Sequence, residues 1–386
     1  MKYWRGYLTA GLLAAITWGL MEFAKAHTVL VDMIYPYFTR LIQNTLADWS
    51  SGVGFCMWQV LAVLLVVIVI ASVVLMIVFK WNFIQWLGWV LAGGTLIFTL
   101  HTGMYGLNSH AGPLADDIRL TVSDHPYTTT ELVEATIYFR DMANTLSTQV
   151  PRDSDGNPSY PSFQEMANIA GEGFQTLTYD YSYAVFAGST APVKELGWAD
   201  MYTSMGITGM TMPLTGEAAV NPNIPVVSIP FTMCHEMAHR MCISYERDAN
   251  LAAFLACRVH TDPIFQYSGY FMALRYCYNA LVTVGSSAAD NAAKQVYAGM
   301  TDQLKVDLAN YRKFFNQHRD EGAANLANTV NDNYIKVSGD ASGTGSYNEV
   351  CNLLVSWHIQ EIYLPTHQEE VKQFDPLDKN QVDLED

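Results

Sequence analysis

The sequence predicts a mainly α-helical membrane protein, with three N-terminal transmembrane helices followed by a mostly helical aqueous domain that holds a small β element. Three observations carry that prediction. Apolar runs of span length occur only before residue 106. Helix-type patterning dominates from residue 107 onward. The motif His235-Glu236-Met237-Ala238-His239 sits between polar segments and outside every such run.

The membrane region covers residues 1–106. Tyr7 to Ala24 is apolar except for Glu22, Val53 to Phe79 contains an unbroken Leu61–Ile70 stretch, and Phe83 to Met104 lies beside Trp81, Trp86 and Trp89. Each run approaches or exceeds the roughly 20 residues that cross a bilayer, and Trp favours the interface. The expected spans are therefore 7–24, 53–79 and 83–104. Lys2 and Arg5 before the first run also suit a signal peptide. No small-residue cleavage site follows, and two more spans do. Lys25 and Arg40 fall in the longer loop between the first two spans, so the basic bias is weak. With Lys2, Arg5 and Lys80 inside, three crossings put the later domain outside. The expected location is thus a multi-pass cell-membrane protein with an extracytoplasmic domain.

Residues 107–365 are long enough for one substantial core. Thr128 to Glu131 forms a capping signature before a helical pattern. Pro151 to Pro161 reads as a loop, and Phe163 to Leu177 as a helix. Met201 to Pro230 is rich in Gly, Thr and Pro and holds β-prone pieces. Pro230 and Thr232 suit the start of the motif helix. Leu251 to Asn333 reads as helical, Gly339 to Gly345 as a loop, and Tyr347 to Tyr363 as a last helix. The tail, 366–386, is acidic and expected to be disordered.

The formal net charge is −16, which argues against nucleic acid as a partner and against docking on anionic lipid heads. The expected partners are the lipid bilayer and a protein or peptide substrate. Of six cysteines, Cys56 falls in a span and five in the aqueous half, with no metal-type Cys spacing.

The motif reads HExxH. Two His four apart share one helix face and can bind one metal ion, while the adjacent Glu236 can take a proton from a metal-bound water. This pattern points to Zn²⁺ and to hydrolysis, with Glu236 as base. A catalytic zinc needs a third protein ligand. One class of such sites places a His six residues after the second, but that position here is Tyr245. An acidic ligand on a second helix, the gluzincin arrangement, fits better, and Glu246 follows a short break at Cys242-Ile243-Ser244. Asn250 shares the Glu246 face and is expected to support a ligand. Asp248 competes for the ligand role or supports it from outside, although it points off that face. Tyr334, Tyr347 and His260 are candidate oxyanion donors. Glu217, Ala218, Ala219, Val220 and Asn221 form a candidate edge strand for an extended substrate.

Gly206-Ile207-Thr208-Gly209, Pro213 to Asn221, Pro230 to His239 and Glu246-Arg247-Asp248-Ala249-Asn250 together resemble the bacterial membrane-protein family called domain of unknown function 3810. Tyr105 to Asn108, Pro113-Leu114, Asn331 to Lys336 and Ser346-Tyr347 are similar to its flanking signatures. The resemblance covers nearly the whole chain and implies a membrane-anchored, zincin-like metallopeptidase of unknown substrate. The Glu-x-x-Ala-Asn segment is also similar to the third-ligand segment of membrane-bound gluzincins, which supports Glu246 as ligand and Asn250 behind it. The competing expectation is a non-catalytic zinc-binding sensor that retains the fold. A transporter is disfavoured because the spans carry no central charge apart from Glu22.

Overall fold

A computed structural model describes residues 2–122, 127–338 and 347–367 of the chain. Four helices open it: α1 (Arg5–Ala26), α2 (Thr28–Ser51), α3 (Met57–Val78) and α4 (Phe83–Met104). Three of these, α1, α3 and α4, are long and apolar enough to cross a membrane. α1 packs along α4 at backbone distance, since a Cβ on Gly6 would stand 2.4 Å from the Gly88 carbonyl carbon. Small residues allow this approach, which gives two apolar helices dispersion contact without a hydrophobic driving force.

The segment between the first two spans, expected as a loop, is the helix α2. Its apolar residues do not run continuously but recur with helical spacing. Val29, Leu30, Met33, Ile34, Tyr37, Phe38 and Leu41 are exposed along one face. Val31, Thr39, Arg40, Gln43, Ala47 and Ser50 are buried on the other, against the rest of the chain. That inner face is polar and bonded. Arg40 donates to the Met241 and Ala184 carbonyls, each at 3.2 Å, and Gln43 donates to the Pro213 carbonyl at 3.0 Å. Asn44 and Asp48 accept from the Ser189 N–H and hydroxyl.

The following elements are α5 (Leu114–Asp117), α6 (Thr129–Ser147), α7 (Phe163–Ile169), α8 (Glu172–Tyr179) and α9 (Ala199–Ser204). Thr128 and Glu131 close the expected capping box at the start of α6. The single helix expected over 163–177 is instead the pair α7 and α8, which divide at Ala170-Gly171. Three short strands form one sheet: β1 (Lys194–Glu195), β2 (Gly209–Met212) and β3 (Glu217–Val220), in the order β1-β3-β2. β1 runs parallel to β3, and β2 runs antiparallel with Gly209 opposite Val220 and Met212 opposite Glu217. The segment expected as an edge strand is therefore the central strand. β2 is an edge.

The chain then enters α10 (Ile229–Arg240), α11 (Glu246–Val259), α12 (Pro263–Thr283), α13 (Ser287–Ala298), α14 (Asp302–His318), α15 (Glu321–Ser338) and α16 (Tyr347–His358). Pro230 occupies the first turn of α10, where a missing N–H costs nothing. The core gathers α6, α10, α11, α12 and α16. Phe254 stands edge-on to Trp357 and Phe139, with ring centroids 4.9 and 5.5 Å apart. All six cysteines are buried and free. They include the Cys234–Cys257 and Cys277–Cys351 pairs, with sulfurs 3.7 Å apart in each.

One buried ion pair joins the sheet to the second span. Glu217 on β3 binds Lys194 Nζ at 2.7 Å and accepts the Met57 and Trp58 N–H groups at 2.7 and 2.8 Å. A carboxylate thus caps the N-terminus of α3, where the helix leaves donors unsatisfied. Removing one member of a buried pair leaves the other charge uncompensated, at a cost of about 3 kcal/mol or more. Glu217→Ala should lower the thermal midpoint of the detergent-solubilised protein markedly, and Glu217→Gln should lower it less. An unchanged midpoint for Glu217→Ala would refute this account of the junction.

Candidate metal centre and cleft

α10 is buried over most of its surface, and only its His face reaches open space. His235 and His239 stand one turn apart, with ring planes nearly perpendicular and centroids 4.7 Å apart. The helix ends in a tight turn. The Cys242 N–H donates to the His239 carbonyl at 2.9 Å, and the Ile243 N–H donates to the Ala238 carbonyl at 3.2 Å. This is the Schellman pattern, and Cys242 takes the left-handed position with φ +71°, where glycine is usual. The turn brings the Ile243 carbonyl to 2.8 Å from His239 Nδ1. A carbonyl can only accept, so Nδ1 carries a proton, and the ring is turned with Nε2 facing inward.

α11 begins at Glu246 immediately after the turn. Its Oε2 lies 3.3 Å from His235 Nε2 and its Oε1 lies 3.6 Å from His239 Nε2, while the two Nε2 atoms are 3.1 Å apart. Donors about 2.0–2.1 Å from one tetrahedral zinc stand roughly 3.4 Å from each other. The three measured separations bracket that value. Among the described residues, this is the group of His, Cys, Asp and Glu whose donor atoms converge in this way, all within 4.8 Å.

Glu236 faces the sheet. It is buried, and the Thr211 hydroxyl lies 2.8 Å from its carboxylate and 2.8 Å from its main-chain carbonyl. A Cβ on Gly209 would come within 2.4 Å of Glu236 Oε1, so only glycine leaves space for the carboxylate there. Burial raises the Glu236 pKa above the ordinary carboxylate value, against opposing pulls from both His and from Thr211. Burial disfavours a charged His239, but the Glu246 carboxylate outweighs it and pushes the imidazole up to about 9. Burial likewise disfavours a charged Glu246, and the two imidazoles outweigh it and hold that carboxyl well below its usual range.

Other expected site residues lie elsewhere. Asp248 is two residues beyond Glu246, on the far side of α11. It accepts the Leu114 N–H at 3.0 Å and lies 3.5 Å from Arg247 Nε, so it does not support the His pair. Its burial lifts its pKa to about 6. Asn250 does reach Glu246, but through the main-chain carbonyl at 2.8 Å, and its side-chain oxygen accepts from the Tyr276 hydroxyl at 3.0 Å. His260 is buried and spent on structure. It stacks on Phe265, donates from Nε2 to the Ile169 carbonyl and accepts the Asp262 N–H at Nδ1. It is not an oxyanion donor. Tyr334 and Tyr347 belong to α15 and α16, but their side chains lie outside the described residues. Thr211 and the Ile243 carbonyl escaped the sequence reading, and Gly209 entered it only within the family-like segment, with no role.

His235 and Glu246 open onto a cleft of about 680 Å³ whose remaining lining includes Thr208, Asn250, residues of α12 and α14, and Arg319. The family described as "Protein of unknown function (DUF3810)" matches residues 31–355, most of the chain, and the chain belongs to that family. No curated protein matches, and no solved structure matches.

Because a cation at this centre needs both imidazoles neutral, it must displace the proton that His239 holds below pH about 9. Divalent-metal affinity should therefore rise about tenfold per pH unit from neutrality to pH about 9, with the His239 proton released on binding at pH 7. Calorimetry of the metal-free protein in buffers of different ionisation enthalpy measures that proton. A release of none would show that His239 is already neutral.

Proposed function

We propose that this protein is a membrane-anchored, zinc-dependent metallopeptidase with a gluzincin-like centre. The observation that carries the reading is the convergence of His235, His239 and Glu246 at tetrahedral donor spacing beside a buried carboxylate, Glu236. The two His and Glu246 would hold Zn²⁺. When bound, the metal supplies a water acidified to near pH 7 and polarises the substrate carbonyl.

The chain's own residues do the rest. Glu236 takes the proton from the attacking water and returns it to the leaving amine. Its burial favours the protonated form that this transfer passes through. Thr211 fixes its carboxylate, and Gly209 lets the edge strand β2 approach it closely. β2 offers an unpaired edge among the described residues, to which an extended peptide can add as a further strand. His239 is oriented by the Ile243 carbonyl, so its Nε2 is aimed at the centre before a ligand arrives. Three crossings by α1, α3 and α4 would leave Arg5 and this centre on opposite sides of the bilayer, and the side proposed for the centre is extracytoplasmic.

Glu236→Gln should keep zinc and lose peptide hydrolysis by at least about a hundredfold. Glu246→Ala should lose zinc. Metal content and cleavage of a peptide library by the two variants and wild type test both. Zinc-loaded Glu236→Gln protein that still cleaves would sink the mechanism. Wild-type protein that binds zinc and cleaves no peptide would favour a zinc-binding membrane sensor.

A further inference from the structure

Among the described residues, the cleft beside the centre reverses the sign of the chain. The sequence holds 21 Lys and Arg against 37 Asp and Glu. Among the described residues, the cleft lining carries Arg275, Arg312 and Arg319, and Glu246 is its carboxylate. Among the described residues, the exposed Arg312 and Arg319 thus share the cleft with one acid, and that acid is engaged with the two imidazoles. Arg275 is held between aromatic rings, 4.8 Å from the Tyr311 centroid and 5.0 Å from that of Tyr276. Arg312 and Arg319 are exposed and have no ion pair to a described residue, and Arg312 lies 6.0 Å from the centroid of the Tyr278 ring. The base of Arg319 is fixed, because the next N–H, that of Asp320, donates to the Ser204 carbonyl at 2.9 Å. The surrounding polar lining is amide-rich, with Asn250, Asn279 and Asn316.

We propose that this cleft selects a peptide that presents a carboxylate to Arg312 and Arg319, with Arg275 adding positive field at the wall. The inference rests on the peptidase reading of the same site and adds its substrate class. A guanidinium presents paired donors that match the two oxygens of a carboxylate. A positive cleft in an acidic protein also concentrates anions locally while the rest of the surface repels them. The same acidic surface disfavours a long polyanion, which needs an extended basic track. A single carboxylate meets both conditions. It can come from an acidic side chain or from a free peptide C-terminus.

The test uses full-length protein in detergent with zinc bound and three matched peptides. One carries Glu and an amidated end, the second carries Gln and an amidated end, and the third carries Gln and a free C-terminus. One of the charged peptides should be cleaved with a kcat/KM about tenfold above that of the uncharged one, and which of them is preferred identifies the source of the carboxylate. In the double variant Arg312→Gln, Arg319→Gln, that ratio should fall to near one, and raising salt should reduce it in wild type. Equal cleavage of all three peptides, or a ratio that survives the double variant, overturns the proposal while the peptidase reading stands. Fluorescence anisotropy with the same peptides on Glu236→Gln protein supplies a readout independent of turnover. Arginine-dependent preference for a charged peptide without hydrolysis in wild type would keep the carboxylate site and discard the peptidase. Binding that ignores charge would discard the carboxylate site.

Discussion

Two imidazole nitrogens 3.1 Å apart in a protein wall cannot both carry a proton, and a carboxylate 3.3 and 3.6 Å away will not leave both neutral without a cation. The three groups thus form a set that is satisfied by one shared proton or by one metal ion. Much of the surrounding structure serves to keep them that close. α10 is buried on its other faces, so its His pair cannot rotate away. The left-handed turn at Cys242 reverses the chain within a few residues and starts α11 at Glu246. The same turn delivers the carbonyl that orients His239. One backbone conformation therefore sets both the position of the third donor and the orientation of the second.

The sheet adds a different kind of control. β3 sits at its centre, and its Glu217 reaches away from the cleft to cap a membrane helix. β2 sits at its edge and lies over Glu236. A sheet of three short strands thus divides its labour: the inner strand fixes the domain to the spans, and the outer strand shapes the space around the buried carboxylate.

The parts of this structure legible in the sequence are those encoded by local spacing. The three spans are continuous apolar runs, the α6 cap is a four-residue pattern, and the His pair with its neighbouring Glu is a five-residue pattern within one helix. Glu246 was legible because it lies only seven residues from His239. What escaped depends on tertiary placement. α2 reads as a loop because its apolar residues alternate with polar ones at helical spacing, and no window of it is apolar throughout. Asp248 and Asn250 both lie close to Glu246 in sequence, yet a rotation of roughly 100° per residue sends the first to the far side of α11. His260 has the right chemistry for a donor, and its burial against Phe265 and Ile169 removes it. Pairing order within a sheet has no local signature, so the central strand β3 was expected at an edge. The cleft arginines come from positions 275, 312 and 319, and only folding reveals that they share one space.

The inner face of α2 grips two points that belong to the same centre. Arg40 holds the carbonyl of Met241, the C-cap of α10, and Gln43 holds Pro213, in the turn between β2 and β3. These two points flank Glu236 and the His pair from opposite ends of the chain segment that forms them. α2 itself follows the first span with a single residue, His27, between them. The first span and the HExxH helix are therefore joined by one helix and two side-chain hydrogen bonds, and the same helix grips the centre's segment at both of its ends.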